Sequence, residues 1–150
     1  MTEISFYHLT TTPLERALPG LLTKMLESGH RALVVCGSNE HMEQLNQLLW
    51  THDPASFIPH GSTGDDNTGE QPILLSLEAS PVNAAKIVLL THGQPLDNPE
   101  QFERVLDLFN GNDEKAVENA RARWTLYKDN GYTLTYHRQT KDGRWDKKNH

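Results

Sequence analysis

The stretch ALVVCGSNEHMEQLNQLLW, residues 32–50, decides the fold. Its opening, Ala32–Gly37, is a short continuous apolar run without the polar alternation of a half-exposed strand, the pattern of a strand buried on both faces. Ser38 then offers a capping hydroxyl, and Met42, Leu45, Leu48 and Leu49 recur at helical spacing, so a helix is expected from Ser38 to Trp50. A doubly buried strand feeding an amphipathic helix is the unit from which parallel sheets are built.

The same grammar extends in both directions. Upstream, Ile4–Leu9 (ISFYHL) reads as a strand, and Thr12, Pro13 and Glu15 form a helix-start signature. Leu14, Ala17, Leu18, Leu21, Leu22, Met25 and Leu26 then form one apolar stripe that ends at Gly29, with Pro19 predicting a kink or a delayed start. Downstream, Pro72–Leu77 and Lys86–His92 read as two more buried strands, while Phe102–Asn110 fits either a strand or a helical turn. Ala116, Val117, Ala120, Trp124 and Tyr127 repeat at helical spacing within Asp113–Asn130; Gly131 closes that helix before a strand at Tyr132–Arg138. Glycines and acids make residues 61–71 a mobile loop by composition, and KDGRWDKKNH reads as a turn and a tail fraying over residues 143–150. One α/β domain over residues 1–150, with right-handed crossovers in a mostly parallel sheet, is the expectation.

Composition narrows the function. With 36% hydrophobic residues in 150, the chain can bury a core without crosslinks, and its single cysteine, Cys36, excludes an internal disulfide. No window reaches the roughly 20 apolar residues that span a bilayer. The first ten residues lack the basic and long apolar regions of a secretion signal, so a cytoplasmic protein is expected. The net charge of −6 argues against a dedicated duplex-DNA binder. It is unevenly spread, however: residues 1–114 carry 5 Lys/Arg against 16 Asp/Glu, whereas residues 115–150 carry 9 against 4. The last quarter is suited to an acidic partner, and Asn119–Arg138 gathers Arg121, Arg123, Trp124, Lys128, Tyr132 and Tyr136 there.

Catalytic and cofactor signatures are sparse. Cys36–His41 has one glycine where a dinucleotide fingerprint needs three, and there is no GxxxxGK[ST]. Cys36 ends a strand before a helix, as in cysteine-dependent phosphatases, but Met42 stands where those enzymes need an arginine. The eight histidines show no metal-ligand spacing, so neither metal nor cofactor is expected, although His8, His60 and His92 fall near strand ends that could converge in space. A small nucleotide-handling hydrolase using Cys36 or the His8, His60 and His92 group is therefore the rival to a recognition protein. Trp50, Phe57, Ile58 and Pro59, in LWTHDPASFIPHG, form an aromatic segment of the kind that anchors interfaces.

Taken together, ISFYHL, the helix ending in LW, SFIPHG, and the pattern RxRWxxYKxxGYxLTY resemble the chi subunit family of bacterial DNA polymerase III over most of the chain. The resemblance implies a Rossmann-like three-layer fold without bound nucleotide. It also implies a non-enzymatic clamp-loader accessory subunit, which joins the replisome through the psi subunit and binds the acidic C-terminal tail of single-stranded-DNA-binding protein. By position, it places tail binding on Arg121, Trp124 and Leu134, with Lys128 and Tyr136 completing the patch, and the psi-like or clamp-loader interface on Trp50, Phe57, Ile58 and Pro59. Two basic positions of well-known members are here Val117 and Thr125, which predicts weaker or more salt-sensitive tail binding. A repair helicase is a further candidate partner, and contact with DNA is expected to be weak or indirect.

Overall fold

Strands whose every residue is apolar must be covered on both faces, and the computed structural model meets that demand with one central sheet between two helical layers. It describes residues 2–10, 14–51, 60–62, 72–77, 85–91, 93, 96, 99–139 and 145–149. In chain order the elements are β1 (Glu3–Leu9), α1 (Leu14–Glu27), β2 (Ala32–Val35), α2 (Asn39–Thr51), β3 (His60–Ser62), β4 (Ile73–Ser76), β5 (Ile87–Leu90), β6 (Arg104–Asn110), α3 (Glu114–Asp129), β7 (Thr133–Gln139) and β8 (Trp145–Asn149). The sheet runs β3-β4-β2-β5-β6-β1-β7-β8; β8 alone is antiparallel to its neighbour.

Period-2 alternation sorts the core. Tyr7, Leu9, Val34, Leu75, Leu89, Leu106 and Leu108 point to the face covered by α1 and α2. Ile4, Phe6, Leu33, Leu74, Val88, Val105 and Phe109 point to the face covered by α3. The ambiguous segment Phe102–Asn110 resolves as β6, because both its neighbours in the sheet are parallel strands that it pairs along its length. Ser38 caps α2 as expected, its hydroxyl accepting from the His41 amide at 3.1 Å.

Of the two outcomes expected of Pro19, a delayed start does not occur: Pro19 is buried inside α1, which runs through it from Leu14, and anchoring by Leu18 and Leu22, both fully buried, offsets the hydrogen bond that proline cannot make. Two further expectations need correction. Gly61 and Ser62, read as loop, belong with His60 to the edge strand β3, paired to β4; the rest of the 61–71 loop lies outside the described residues, as do Thr12 and Pro13. Trp145–Asn149, read as a fraying tail, forms β8 against β7. Both strands lie at sheet edges, where a strand needs no apolar run to be stable.

The connection from β6 to β7 positions everything that follows. These strands flank β1 in the sheet, so α3, which links them, passes over β1. A buried ion pair sets where it rests. Arg123 donates from Nε to Asp107 Oδ2 at 2.6 Å and from Nη2 to Oδ1 at 2.8 Å, with both residues at most 4% exposed, and its Nη1 donates to the Gly93 carbonyl at 3.0 Å. The fork ties α3 to the centre of β6 and to the segment beyond β5. Asp113 caps the helix start by accepting from the Lys115 amide at 3.0 Å, and Gly131, with φ of 84°, ends it in the left-handed region as expected.

Gly111, in the turn between β6 and α3, has no room for a side chain: a Cβ there would overlap the His8 ring and lie 2.8 Å from the Leu9 carbonyl oxygen.

Two stability measurements test this architecture. Arg123→Ala, which strands the Asp107 carboxylate in the core, should cost about 3–5 kcal/mol in urea unfolding, whereas Arg123→Met combined with Asp107→Leu should recover most of that loss. Gly111→Ala should destabilise by about 1–3 kcal/mol, because the Leu9 carbonyl belongs to a paired strand and cannot yield as a flexible side chain would.

Candidate functional site

Seen down α3, successive residues turn by about 100°. Measured from Arg123, the stripe Arg123, Tyr127 and Ala120 spans roughly the first 60° and is buried against the sheet. The next stripe, Trp124, Val117, Lys128 and Arg121, lies at roughly 100–160° and lines the edge of the helix–sheet interface. There the helix and sheet part to leave a cavity of about 430 Å³ lined by Phe6, His8, Phe109, Val117, Ala120, Arg121, Trp124, Lys128 and Tyr136.

The floor is aromatic. The Phe6 ring meets Trp124 edge-on at 5.3 Å between centroids, Trp124 meets Tyr136 edge-on at 6.2 Å, and His8 lies 5.0 Å from Phe109. The rim is cationic: Arg121 and Lys128 are exposed, and neither is in an ion pair among the described residues. His8 Nδ1 is hydrogen-bonded to the Tyr136 hydroxyl. Burial, and then Arg138 and Arg121, push the His8 imidazole below its ordinary range despite a hydrogen bond with the Gly111 backbone, so it is neutral at pH 7. Burial raises the Tyr136 phenol, keeping it protonated. The site therefore offers an apolar aromatic slot with unpaired guanidinium and ammonium groups at its mouth, which suits an apolar group carrying negative charge.

Of the tail-binding residues expected from the sequence, Arg121, Trp124, Lys128 and Tyr136 meet at this cavity. Leu134 does not line it: at 7% exposure it is buried in the core beneath α3. Arg123 is withdrawn from the basic patch by Asp107. Phe6 and His8 were missed because β1 is remote in sequence from the helix, and Phe109 because its segment fitted either a strand or a helical turn. Val117, one of the positions lacking its expected cation, lines the cavity, and the other, Thr125, turns its hydroxyl to the Arg121 carbonyl at 3.1 Å. At the second expected surface, Trp50 lies in the last turn of α2, its side chain not among those described; Phe57, Ile58 and Pro59 lie outside the described residues.

Among the residues of the rival hydrolase reading, Cys36, His8 and His60 are not brought together. Cys36 is 2% exposed, its thiol pushed up to about 12 by burial, which disfavours the nucleophilic thiolate. It lies on the α1 and α2 side of the sheet, opposite the His8 cavity. His60 opens β3, five strand spacings or ~24 Å from β1, in the row of Glu3 rather than that of His8. A His8–His60 cluster is thus excluded, and His92 lies outside the described residues. Among the described residues no group of three or more His, Cys, Asp or Glu side chains could hold a metal ion, and no helix is long and apolar enough to cross a membrane.

Comparison with known proteins bears directly on this arrangement. A chain of T4 UvsW superposes with a TM-score of 0.65 over 91% of this chain and 41% of that one at 12% identity, a likeness of fold alone. The DNA polymerase III subunit chi of Pseudomonas aeruginosa is 29% identical over 143 residues, covering 92% of this chain and 97% of its own. That of Haemophilus influenzae is 26% identical over 87% of this chain and 92% of its own. A probable subunit chi of Rickettsia prowazekii is 32% identical over 61% of this chain and 56% of its own length. The family model for the DNA polymerase III chi subunit, HolC, matches residues 1–135, so the chain belongs to the chi subunit family of replication accessory proteins.

Proposed function

We propose that the protein is a non-catalytic adaptor of the DNA polymerase III clamp-loader complex. In this reading the α3 cavity binds the acidic C-terminal tail of single-stranded-DNA-binding protein, and the Trp50–Pro59 segment binds a psi-like or clamp-loader subunit. The observation that carries the tail assignment is the aromatic slot bounded by Arg121 and Lys128, with neither cation engaged by a carboxylate among the described residues. A tail of several aspartates, an aliphatic residue, Pro and a terminal Phe matches it group for group. The Phe ring enters the slot over the floor formed by Phe6, Trp124 and Tyr136, its free carboxylate meets Arg121, and upstream aspartates meet Lys128.

Single-site affinity need not be high. Coated single-stranded DNA presents many tails, and the adaptor, held to the polymerase complex at its other surface, rebinds neighbouring tails at high local concentration. Direct contact with DNA contributes little, because the rest of the chain is acidic.

Calorimetric titration with a tail peptide, beside one lacking its last Phe, tests the first surface. Binding should require the Phe, weaken with added salt, and fall at least tenfold in Arg121→Glu with thermal stability retained; equal affinity in that variant would remove the cavity from the reading. The second surface is tested by Trp50→Ala with Phe57→Ala, which should abolish co-purification with the psi-like or clamp-loader partner and leave tail-peptide affinity within about twofold if the two surfaces act independently.

A further inference from the structure

The floor of the cavity contains one residue whose chemistry an apolar slot does not require. Ile4, Phe6 and His8 alternate along β1 toward α3, and the first two are ordinary core side chains. At the third position a leucine would fill the same space beside Phe109 and Trp124 without a polar atom to satisfy. Instead there is an imidazole, held by a hydrogen bond to the Tyr136 hydroxyl and given its space by the glycine at position 111.

We infer that His8 is a ligand-binding residue of this cavity and that it becomes protonated when a carboxylate-terminated ligand docks, so that binding draws one proton from solvent. The inference rests on the tail-binding reading and deepens it. The charged and titratable groups around the ring come from three elements. On β7 they are Tyr136 and Arg138; on α3 they are Arg121 and, across the cavity, Lys128; the β6–α3 turn contributes the Gly111 backbone. Glu114 and Glu118 line an adjoining groove that includes Gly111 and shares Val117 and Arg121 with the cavity. In the free protein partial burial first, and then Arg138 and Arg121, oppose a charge on the ring.

A ligand carboxylate reverses that balance. Seated on Arg121 in the cavity they share, it neutralises the cation that most nearly disfavours the imidazolium from α3 and supplies an opposite charge of its own. Protonation turns the ring nitrogens into donors, one of which can serve the carboxylate directly. His8 thereby adds a charge-assisted contact that exists only when an anion is present, partly replacing the cations absent at Val117 and Thr125. Because the folded free state holds the imidazole below its ordinary value and the complex raises it, affinity increases as pH falls through the interval between the two values, and levels off outside it.

The experiment is calorimetric titration with the tail peptide between pH 5.5 and 8, repeated in buffers of different ionisation enthalpy to count protons. Wild-type protein should take up close to one proton in the middle of the interval, where affinity rises by up to about tenfold per pH unit. His8→Gln, which keeps a polar side chain of similar reach but cannot ionise, should bind with no proton uptake, as should wild type with a peptide whose C-terminus is amidated. An NMR titration of the His8 ring protons gives the same information without a variant: the midpoint should move upward on saturation with peptide. Undiminished proton uptake in His8→Gln, or an unmoved midpoint, overturns the inference and leaves the tail-binding reading intact. Absence of peptide binding at every pH overturns both.

Discussion

The Asp107–Arg123 fork is the contact on which the rest of the molecule depends. A carboxylate in the middle of a buried strand is tolerable only if its charge is matched at both oxygens, and the helix that supplies the match is thereby fixed in position and in rotation about its own axis. Rotation is what matters for the site. With Arg123 turned inward, Tyr127 and Ala120 follow it into the core, while Trp124, Val117, Lys128 and Arg121 are carried to the seam where helix and sheet separate. A helix held by apolar packing alone could roll by some tens of degrees at modest cost; a bidentate pair reaching also to the Gly93 carbonyl cannot. A polar interaction in the core thus dictates which side chains meet the ligand.

Position of that helix follows from topology. Because β1 lies between the two strands that α3 connects, the crossover lays a C-terminal helix over an N-terminal strand, and the cavity draws its floor from Phe6 and His8 and its rim from Arg121 and Lys128. The opposite face of the sheet, sealed by α1 and α2 over Cys36, is packing.

Legibility in the sequence followed burial. Runs such as ALVV, ILLS and IVLL, buried at every position, announced themselves as central strands, and the helices were readable from stripe and cap. The segment around Asp107 stayed ambiguous because its central charge makes sense only with a partner sixteen residues away. HGS and WDKKN, the edge strands, carry no apolar run, since an edge is stabilised by backbone pairing to one neighbour. For the site, Arg121, Trp124 and Lys128 were legible from spacing on one helix, and Tyr136 from the adjoining strand. Phe6, His8 and Phe109 were not, because only the crossover brings β1 and β6 beneath that helix. Arg123 looked like a member of the basic patch because charge alone does not tell a surface cation from one that closes a core.

The placement of β1 also sets an order of events at the ribosome. Residues 3–9 pair with residues 104–110 on one side, and residues 3–8 with 133–138 on the other, so the strand translated before α1 has no partner until most of the chain has followed it. At 5–20 residues per second, that wait is roughly 5–20 s for the first partner alone. During it a largely apolar strand must be kept from pairing with another nascent chain, and loop closure across nearly a hundred residues makes the final docking a slow, non-local step. The cavity, built across that same junction, is among the last features to form, so a chain interrupted before β7 lacks Tyr136 and with it one wall of that cavity.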